Sequence, residues 1–241
     1  MAFRTRVKVC GVMHVEDALR AVRAGADAIG MIQVPHARRY IPPDTARAIA
    51  AALPPFVTPV LVFADAEPAH ILDVAHQTGV RTVQLHGHET VRTALALHNL
   101  SVIKRLEVGI TLKAELEHWA LLERRHLSAV LLEGPGRASA STQGTAEPAA
   151  ATPVVHGGTG ILTDFDAVAW ALSQIEPGIL PPLILAGGLN PDNVAGVVRR
   201  FRPYAVDTSS GVENPAVPLR KDGRRLHAFI DAVTRANDDV A

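Results

Sequence analysis

The stretch RVKVCGVMHVEDALRAVRAGADAIGMI, residues 6–32, contains two short runs of apolar and β-branched residues separated by a helical pattern. Between the runs, apolar residues recur at helical spacing from Val15 to Val22, and Gly25 follows as the predicted end of the helix. Each flanking run has the length of a buried strand. The order strand, helix, strand is typical of a parallel βαβ unit.

The same alternation continues along the chain. Strands are predicted at 6–10, 27–32, 59–63, 81–85, 101–106, 128–132, 182–186 and 204–207. Two helix starts are predicted as well, with Asp44 as one cap and Asn190, directly before Pro191, as another. Eight units in 241 residues favour an α/β fold closed into a (β/α)8 TIM barrel. The alternative, an open doubly wound sheet, is disfavoured because no G-x-G-x-x-G pattern follows the first strand. We expect residues 1–241 to form a single domain.

One segment interrupts the alternation. Residues 134–153, GPGRASASTQGTAEPAAATP, have no apolar periodicity and are rich in small residues and proline. This composition predicts a flexible, low-complexity loop insertion after the sixth strand. The insertion falls on the face where barrel enzymes carry their chemistry, so an active-site lid and a neutral surface loop are both open.

The composition argues against several classes of partner. Lys and Arg number 24, as do Asp and Glu, so no net charge favours nucleic acid or an anionic membrane surface. The single cysteine cannot form an internal disulfide, and the chain contains neither a signal-peptide pattern nor a long apolar run. We therefore expect a soluble, cytoplasmic protein without nucleic-acid or membrane partners, either a monomer or a homodimer.

Residues at the carboxyl ends of the strands line the active site of a (β/α)8 barrel. In this chain they are Cys10, Gln33, Phe63, His86, Arg105, Glu133, Ala186 and Asp207. A thiol and a carboxylic acid can transfer protons near neutral pH without a metal or another cofactor, so Cys10 and Glu133 are the catalytic candidates. Other interpretations stay open, because a free cysteine is often a small buried hydrophobe and Glu133 can simply reach solvent.

Three glycine-rich segments fall on one side of the predicted barrel. They are HGGTG at 156–160, LAGGLNPDNV at 185–194 and VDTSSGVE at 206–213. Backbone N–H groups approach an anion closely at glycine, and the loops after strands seven and eight recur as the phosphate site of this architecture. We therefore expect a small phosphorylated substrate held by Gly157, Gly158, Gly187, Gly188, Ser209, Ser210 and Gly211. Arg39, in the loop after the second strand, is either a solvated surface residue or a fork for a substrate carboxylate.

Seven segments together resemble a known family. In chain order they are KVCGV, GADAIGMI, ARRYIPP, VQLHGHE, GGTG, LILAGGLNPDNV and VDTSSGVE. They strongly resemble phosphoribosylanthranilate isomerase, a (β/α)8 enzyme of tryptophan biosynthesis. The resemblance implies an aldose–ketose isomerase that needs no cofactor. Its reaction is the Amadori rearrangement of N-(5-phosphoribosyl)anthranilate to 1-(2-carboxyphenylamino)-1-deoxyribulose 5-phosphate.

The resemblance also implies residue roles. Cys10 falls at the position of the general base that takes the proton from C2 of the ribose. Glu133 falls at that of the general acid that protonates the ring oxygen, where the family has an aspartate, and burial is expected to keep it protonated. Arg39 matches the arginine that binds the anthranilate carboxylate. Asp207 matches an aspartate near the reacting sugar, in a supporting role.

Departures from the family pattern leave an alternative open. Met13 replaces a threonine, His88 replaces an aspartate, no lysine follows GGTG, and Glu133 is longer than the family's aspartate. The alternative is a phosphate-binding barrel with lost or altered activity, either a related phosphosugar isomerase or a non-catalytic binder. The histidine-pathway isomerase has an aspartate where Cys10 stands, and pentulose-phosphate epimerases require paired metal ligands that this sequence lacks.

Overall fold

The computed structural model describes residues 4–135, 162–176 and 178–239. Within these ranges, eight parallel strands close into a barrel in sequence order, with the eighth strand pairing with the first. The strands are β1 (Arg6–Val9), β2 (Ala28–Ile32), β3 (Thr58–Phe63), β4 (Thr82–Leu85), β5 (Ser101–Glu107), β6 (Ala129–Glu133), β7 (Leu183–Leu185) and β8 (Ala205–Thr208). The predicted (β/α)8 barrel is confirmed, and each predicted strand overlaps an observed one.

Helices surround the barrel. They are α1 (Val15–Ala24), α2 (Pro43–Ala52), α3 (Pro68–Thr78), α4 (Val91–Ala96), α5 (Leu112–Ala120), α6 (Phe165–Ser173), α7 (Val194–Phe201) and α8 (Gly223–Asp238). Gly25 ends α1 in the left-handed conformation, with φ at 108°, as predicted. None of the described helices combines the length and the apolar character that crossing a membrane would require.

Two predicted helix caps are wrong. Helix α2 begins at Pro43, so Asp44 lies inside its first turn. Helix α7 begins only at Val194, because the backbone N–H of Asn190 donates to the side chain of Asn193 at 2.9 Å and forms a turn before the helix. A short side chain that bonds to the local backbone competes with helix initiation in this way.

The strands bury both of their faces, which explains their near-continuous apolar sequences. The larger hydrophobic cluster lies between the barrel and the helices and includes Phe63. A smaller cluster contains Val60, Ile103, Ala129, Leu131, Ile184, Ala186 and Ala205, which alternate along their strands with members of the larger cluster. Phe63 therefore packs with the outer core, although it is a strand-end residue. The smaller cluster is the apolar filling of the barrel interior.

A hairpin follows β8 and brings charged residues to the barrel. Its strands, β9 (Glu213–Asn214) and β10 (Val217–Lys221), are antiparallel. Asp17 of α1 is fully buried and anchors the hairpin, accepting from Arg220 Nε at 2.8 Å and from the backbone N–H of Lys221 at 3.2 Å.

Two expectations fall on residues outside the described ranges. The insertion predicted at 134–153 has only positions 134 and 135 among the described residues. The predicted phosphate glycines Gly157 and Gly158 also lie outside them. Both stay predictions.

Candidate active site

The Cys10 thiol is buried directly after β1. Its backbone N–H donates to the carbonyl of Thr208 at 2.8 Å, which continues the β1–β8 pairing. A Cβ on Gly30 of β2 would lie 2.7 Å from Sγ, so glycine at this position leaves room for the thiol. Burial raises the pKa of Cys10, while Lys8 and Lys221 act against that rise. The resting group is therefore a neutral thiol beside cations that stabilise its ionised form.

Lys8 and Asp207 form a buried ion pair on the adjoining strands β1 and β8. Lys8 Nζ donates to Asp207 Oδ2 at 2.9 Å, and both side chains are almost fully buried. Burial alone would lower the pKa of Lys8, but Asp207 and Cys10 outweigh this and raise it. Burial raises the pKa of Asp207, against the influence of Lys8. The pair places a permanent ammonium near the thiol.

Lys8 is absent from the set of strand-end residues, because only the last residue of each strand was counted there. The sequence suggests Lys8 as a cation that could lower the pKa of Cys10 but does not show whether the two side chains lie close together. Side chains two positions apart in a strand point to the same face, so Lys8 accompanies Cys10 into the interior. The signal was a lysine inside an otherwise apolar strand.

Glu133, at the end of β6, faces His86 and Arg105. Its Oε2 atom lies 3.2 Å from His86 Nε2 and 3.9 Å from Arg105 Nε. Neither contact has hydrogen-bond geometry, and among the described residues Oε2 has no hydrogen-bond partner. Burial acts to raise the pKa of Glu133, but His86, Arg105 and Lys8 outweigh it and lower the pKa. The expectation that burial keeps this carboxyl protonated is wrong.

Further contacts position the side chains of His86 and Arg105. Gln84 Nε2 lies 2.8 Å from His86 Nδ1, which leaves Nε2 as the ring nitrogen toward Glu133. Arg105 Nη2 donates to the carbonyl of Gly134 at 3.1 Å and to Glu107 at 3.1 Å. His86 and Arg105 were predicted only as lining residues, and the structure joins them to the candidate acid.

Arg39 is a buried residue with an ionic partner. Its Nε and Nη2 atoms donate to the two carboxylate oxygens of Glu213 at 2.7 and 3.1 Å. Burial acts to raise the pKa of Glu213, but Arg39 and Lys221 outweigh it and lower the pKa. A Cβ on Gly11 would meet Arg39 Cδ at 2.4 Å, so the arginine runs across the residue that follows Cys10.

This pairing limits how Arg39 can meet a ligand. A guanidinium has five N–H donors, and Glu213 takes two of them on the Nε–Nη2 edge. A substrate carboxylate can bind the Nη1–Nη2 edge. Sequence reasoning missed Glu213 and Lys221, because their hairpin follows the last barrel strand.

The glycine loops after β7 and β8 lie against each other. A Cβ on Gly211 would meet the carbonyl oxygen of Leu189 at 2.0 Å, and Thr208 Oγ1 donates to the same oxygen at 2.8 Å. Gly187 and Gly188 have φ angles of 92° and 68°, in the region that favours glycine. Five predicted phosphate residues thus come from two touching loops: Gly187, Gly188, Ser209, Ser210 and Gly211.

Metal chemistry has no ready ligand set in the part of the chain that the structure describes. Within those ranges, no group of three or more His, Cys, Asp or Glu side chains is arranged to hold a metal ion. The site instead contains a thiol, carboxylates, an imidazole and four buried cationic side chains, Lys8, Arg39, Arg105 and Lys221. These groups suit proton transfer and anion binding.

Comparisons with known proteins agree with this chemistry. Residues 7–232 match the family model of N-(5'-phosphoribosyl)anthranilate (PRA) isomerase. The N-(5'-phosphoribosyl)anthranilate isomerase of Thermotoga petrophila is 40% identical over 226 residues, covering 93% of this chain and 96% of that protein. The crystal structure of phosphoribosyl anthranilate isomerase from Thermus thermophilus has a TM-score of 0.77 at 33% identity, covering 96% of this chain and 99% of that one.

A further solved structure contains a ligand. It is a phosphoribosyl anthranilate isomerase in complex with reduced 1-(o-carboxyphenylamino)-1-deoxyribulose 5-phosphate. Its TM-score is 0.74 at 34% identity, and the match covers 96% of this chain and 99% of that chain.

Proposed function

The chain belongs to the phosphoribosylanthranilate isomerase family and is an isomerase of tryptophan biosynthesis, and from this premise we propose the residues that carry its reaction. Cys10 is the general base and Glu133 acts on the acid side. One observation carries this assignment: Glu133 stands two positions after Leu131, a member of the cluster that fills the barrel interior, and Cys10 stands two positions after Lys8, which bonds to Asp207 across the neighbouring strand. Alternate side chains of a strand point to the same face, so both groups face the barrel interior.

The chemistry follows from the bonds that change. A proton delivered to the furanose ring oxygen lets the bond from C1 to that oxygen break, and the nitrogen lone pair forms a Schiff base. The Schiff base acidifies the C–H bond at C2. The Cys10 thiolate removes that proton, and the resulting enolamine tautomerises to the ketose. Lys8 favours the reaction by stabilising the thiolate.

The two ends of the substrate carry charges that suit opposite parts of the site. Arg39 binds the anthranilate carboxylate through the edge that Glu213 leaves available. The backbone of Gly187, Gly188, Ser209, Ser210 and Gly211 binds the phosphate, with Gly157 and Gly158 adding to it. The phosphorylated ketose analogue bound by a solved relative supports a ligand of this kind. Asp207 supports the site by holding Lys8.

The proposal also covers the domain organisation, the oligomeric state and the cellular location of the enzyme. Residues 1–241 act as one domain, the enzyme is a monomer or a homodimer, and it works in the cytoplasm. Light scattering of the purified protein at assay concentration measures the oligomeric state.

The test is turnover by purified protein, followed as the loss of phosphoribosylanthranilate fluorescence. We expect Cys10→Ala to lower kcat by about 10² to 10⁴-fold while the affinity for product changes little. Cys10→Ser, which preserves the size of the side chain, serves as the matched control for packing. Near-normal kcat in the alanine variant would show that the thiol only fills space.

A further inference from the structure

A threonine hydroxyl completes the hydrogen bonding between the ends of β6 and β7. Where the two strands pair regularly, the backbone N–H of Ala186 donates to the carbonyl of Leu132 at 2.9 Å. In a parallel ladder the next bond would run from the N–H of Gly134 to the carbonyl of Ala186. Instead, the Gly134 N–H donates to Thr163 Oγ1 at 2.8 Å, and Thr163 Oγ1 donates to the Ala186 carbonyl at 2.7 Å. The hydroxyl is therefore inserted into the last bond of the ladder.

This hydroxyl holds the peptide unit that directly follows the Glu133 side chain. The carbonyl of Glu133 accepts from the N–H of Val108, just after β5, at 2.9 Å. The N–H of the same peptide unit belongs to Gly134 and donates to Thr163 on the β7 side. Arg105 donates to the next carbonyl, that of Gly134, at 3.1 Å. The backbone that carries the carboxylate is thus fixed from both neighbouring strands.

The Thr163 and Glu133 side chains also meet at the end of β7. A Cβ on Gly187 would lie 2.1 Å from Thr163 Oγ1 and 3.2 Å from Glu133 Cγ, so both side chains pack against this glycine. Thr163 is buried, and its backbone N–H donates to the carbonyl of Gly187 at 3.2 Å. A buried hydroxyl that donates one bond and accepts another has a fixed orientation. Thr163 is therefore a rigid neighbour of the candidate acid.

We propose that Thr163 is a positioning residue for the isomerase reaction: its hydroxyl sets the spacing between the ends of β6 and β7, and thereby the place where the Glu133 carboxyl meets the substrate. The inference rests on the role of Glu133 proposed above and adds Thr163 to it. Two hydrogen bonds in series through an oxygen atom span a greater distance than one direct bond between the strands. Because a shift of about 1 Å in a reacting group changes the rate on the order of 10²-fold, this spacing matters for proton delivery.

The test is the kinetics of Thr163→Val, which removes the hydroxyl and keeps the branched shape of the side chain. Gly134 N–H and the Ala186 carbonyl then lose their shared partner, and the strand ends rearrange. We expect kcat to fall by about 10 to 100-fold, while the affinity for product stays within a few-fold of the original. Thr163→Ser retains the hydroxyl and should restore most of kcat.

Thr78→Val is the matched control for the loss of a buried hydroxyl. Thr78 ends α3, at the opposite end of the barrel from the candidate site. Its Oγ1 donates to the carbonyl of Val74 at 2.8 Å and accepts from the N–H of Val80 at 3.4 Å, so it plays the same two roles as Thr163 Oγ1. Both valine variants should unfold at lower urea concentration, but Thr78→Val should retain the original kcat.

A double variant tests whether the effect of Thr163 passes through Glu133. In the Glu133→Gln background, Thr163→Val should lower the residual kcat no further, because no acid is left to misplace. An equal fold-loss in both backgrounds would overturn the proposal. An unchanged kcat in Thr163→Val would overturn it too, as would a loss of product affinity as large as the loss of kcat.

Failure of this proposal is distinguishable from failure of the proposed function. Substantial turnover in Glu133→Gln alone refutes the role of Glu133 itself. A strongly impaired Glu133→Gln beside an unaltered Thr163→Val refutes only the positioning role of Thr163. Thr163→Ala is the second variant if the valine variant does not fold, with product affinity reporting an intact site.

Discussion

Shortening Glu133 to aspartate tests whether the reach of this carboxyl matters for catalysis. The substitution withdraws the carboxyl by about one C–C bond, or ~1.5 Å. Oε2 now lies 3.2 Å from His86 Nε2, so the separation becomes about 4.7 Å.

The withdrawal acts directly on kcat. Misplacing the donor by about 1 Å costs on the order of 10²-fold in rate. We therefore expect Glu133→Asp to lower kcat about 10²-fold at neutral pH, with product affinity within a few-fold of the original.

The assay is steady-state fluorescence from pH 5 to 9, with product affinity measured by titration at each pH. Glu133→Gln is the comparison, since it preserves the length and removes the acid. If Glu133→Asp turned over at the original rate, the reach of the carboxyl would have no catalytic role. If Glu133→Gln were equally fast, the acid would lie elsewhere, and Asp207 would be the next residue to test.

Three other variants probe the remaining contacts. Arg39→Ala should weaken product binding about 10 to 100-fold, the value of charged hydrogen bonds, without changing the affinity for inorganic phosphate; equal losses in both titrations would assign Arg39 to the fold. Lys8→Met should move both limbs of the pH profile of kcat to higher pH, and a single shifted limb would contradict this. Asp17→Asn should lower the free energy of unfolding in urea by about 3 kcal/mol, and an unchanged midpoint would refute its anchoring role. Because the Arg220 hydrogen bond helps to lower the pKa of Asp17 against burial, this contribution is present above about pH 4 and is lost as the pH falls further.

The barrel was predictable from sequence because its strands are buried on both faces. Runs such as the one in β6 are apolar almost throughout, and their positions match the observed strands. Helix starts were less predictable. Asn190 has the right residue type for a cap, but its contact with Asn193 forms a turn, and the helix starts later.

The site was only partly predictable, for a reason of sequence distance. Listing the residue at the carboxyl end of each predicted strand identified Cys10, Glu133 and Asp207, because the active site of a (β/α)8 barrel lies at that end of the strands. It could not pair Lys8 with Asp207, which are 199 residues apart and meet only when the barrel closes. The expectation of a raised pKa for Glu133 was also wrong. Burial can be predicted from an apolar run of sequence, whereas the charges that lower this pKa come from other strands.

The Lys8 ammonium helps one proposed catalytic group and hinders the other. It stabilises the thiolate of Cys10, which the base requires, and also the carboxylate of Glu133, which the acid does not. Moving Lys8 away would protect the acid at the expense of the base. Burial acts against Lys8 at both groups, since it disfavours the charged form of each. Removal of Lys8 should therefore shift both limbs of the profile together to higher pH.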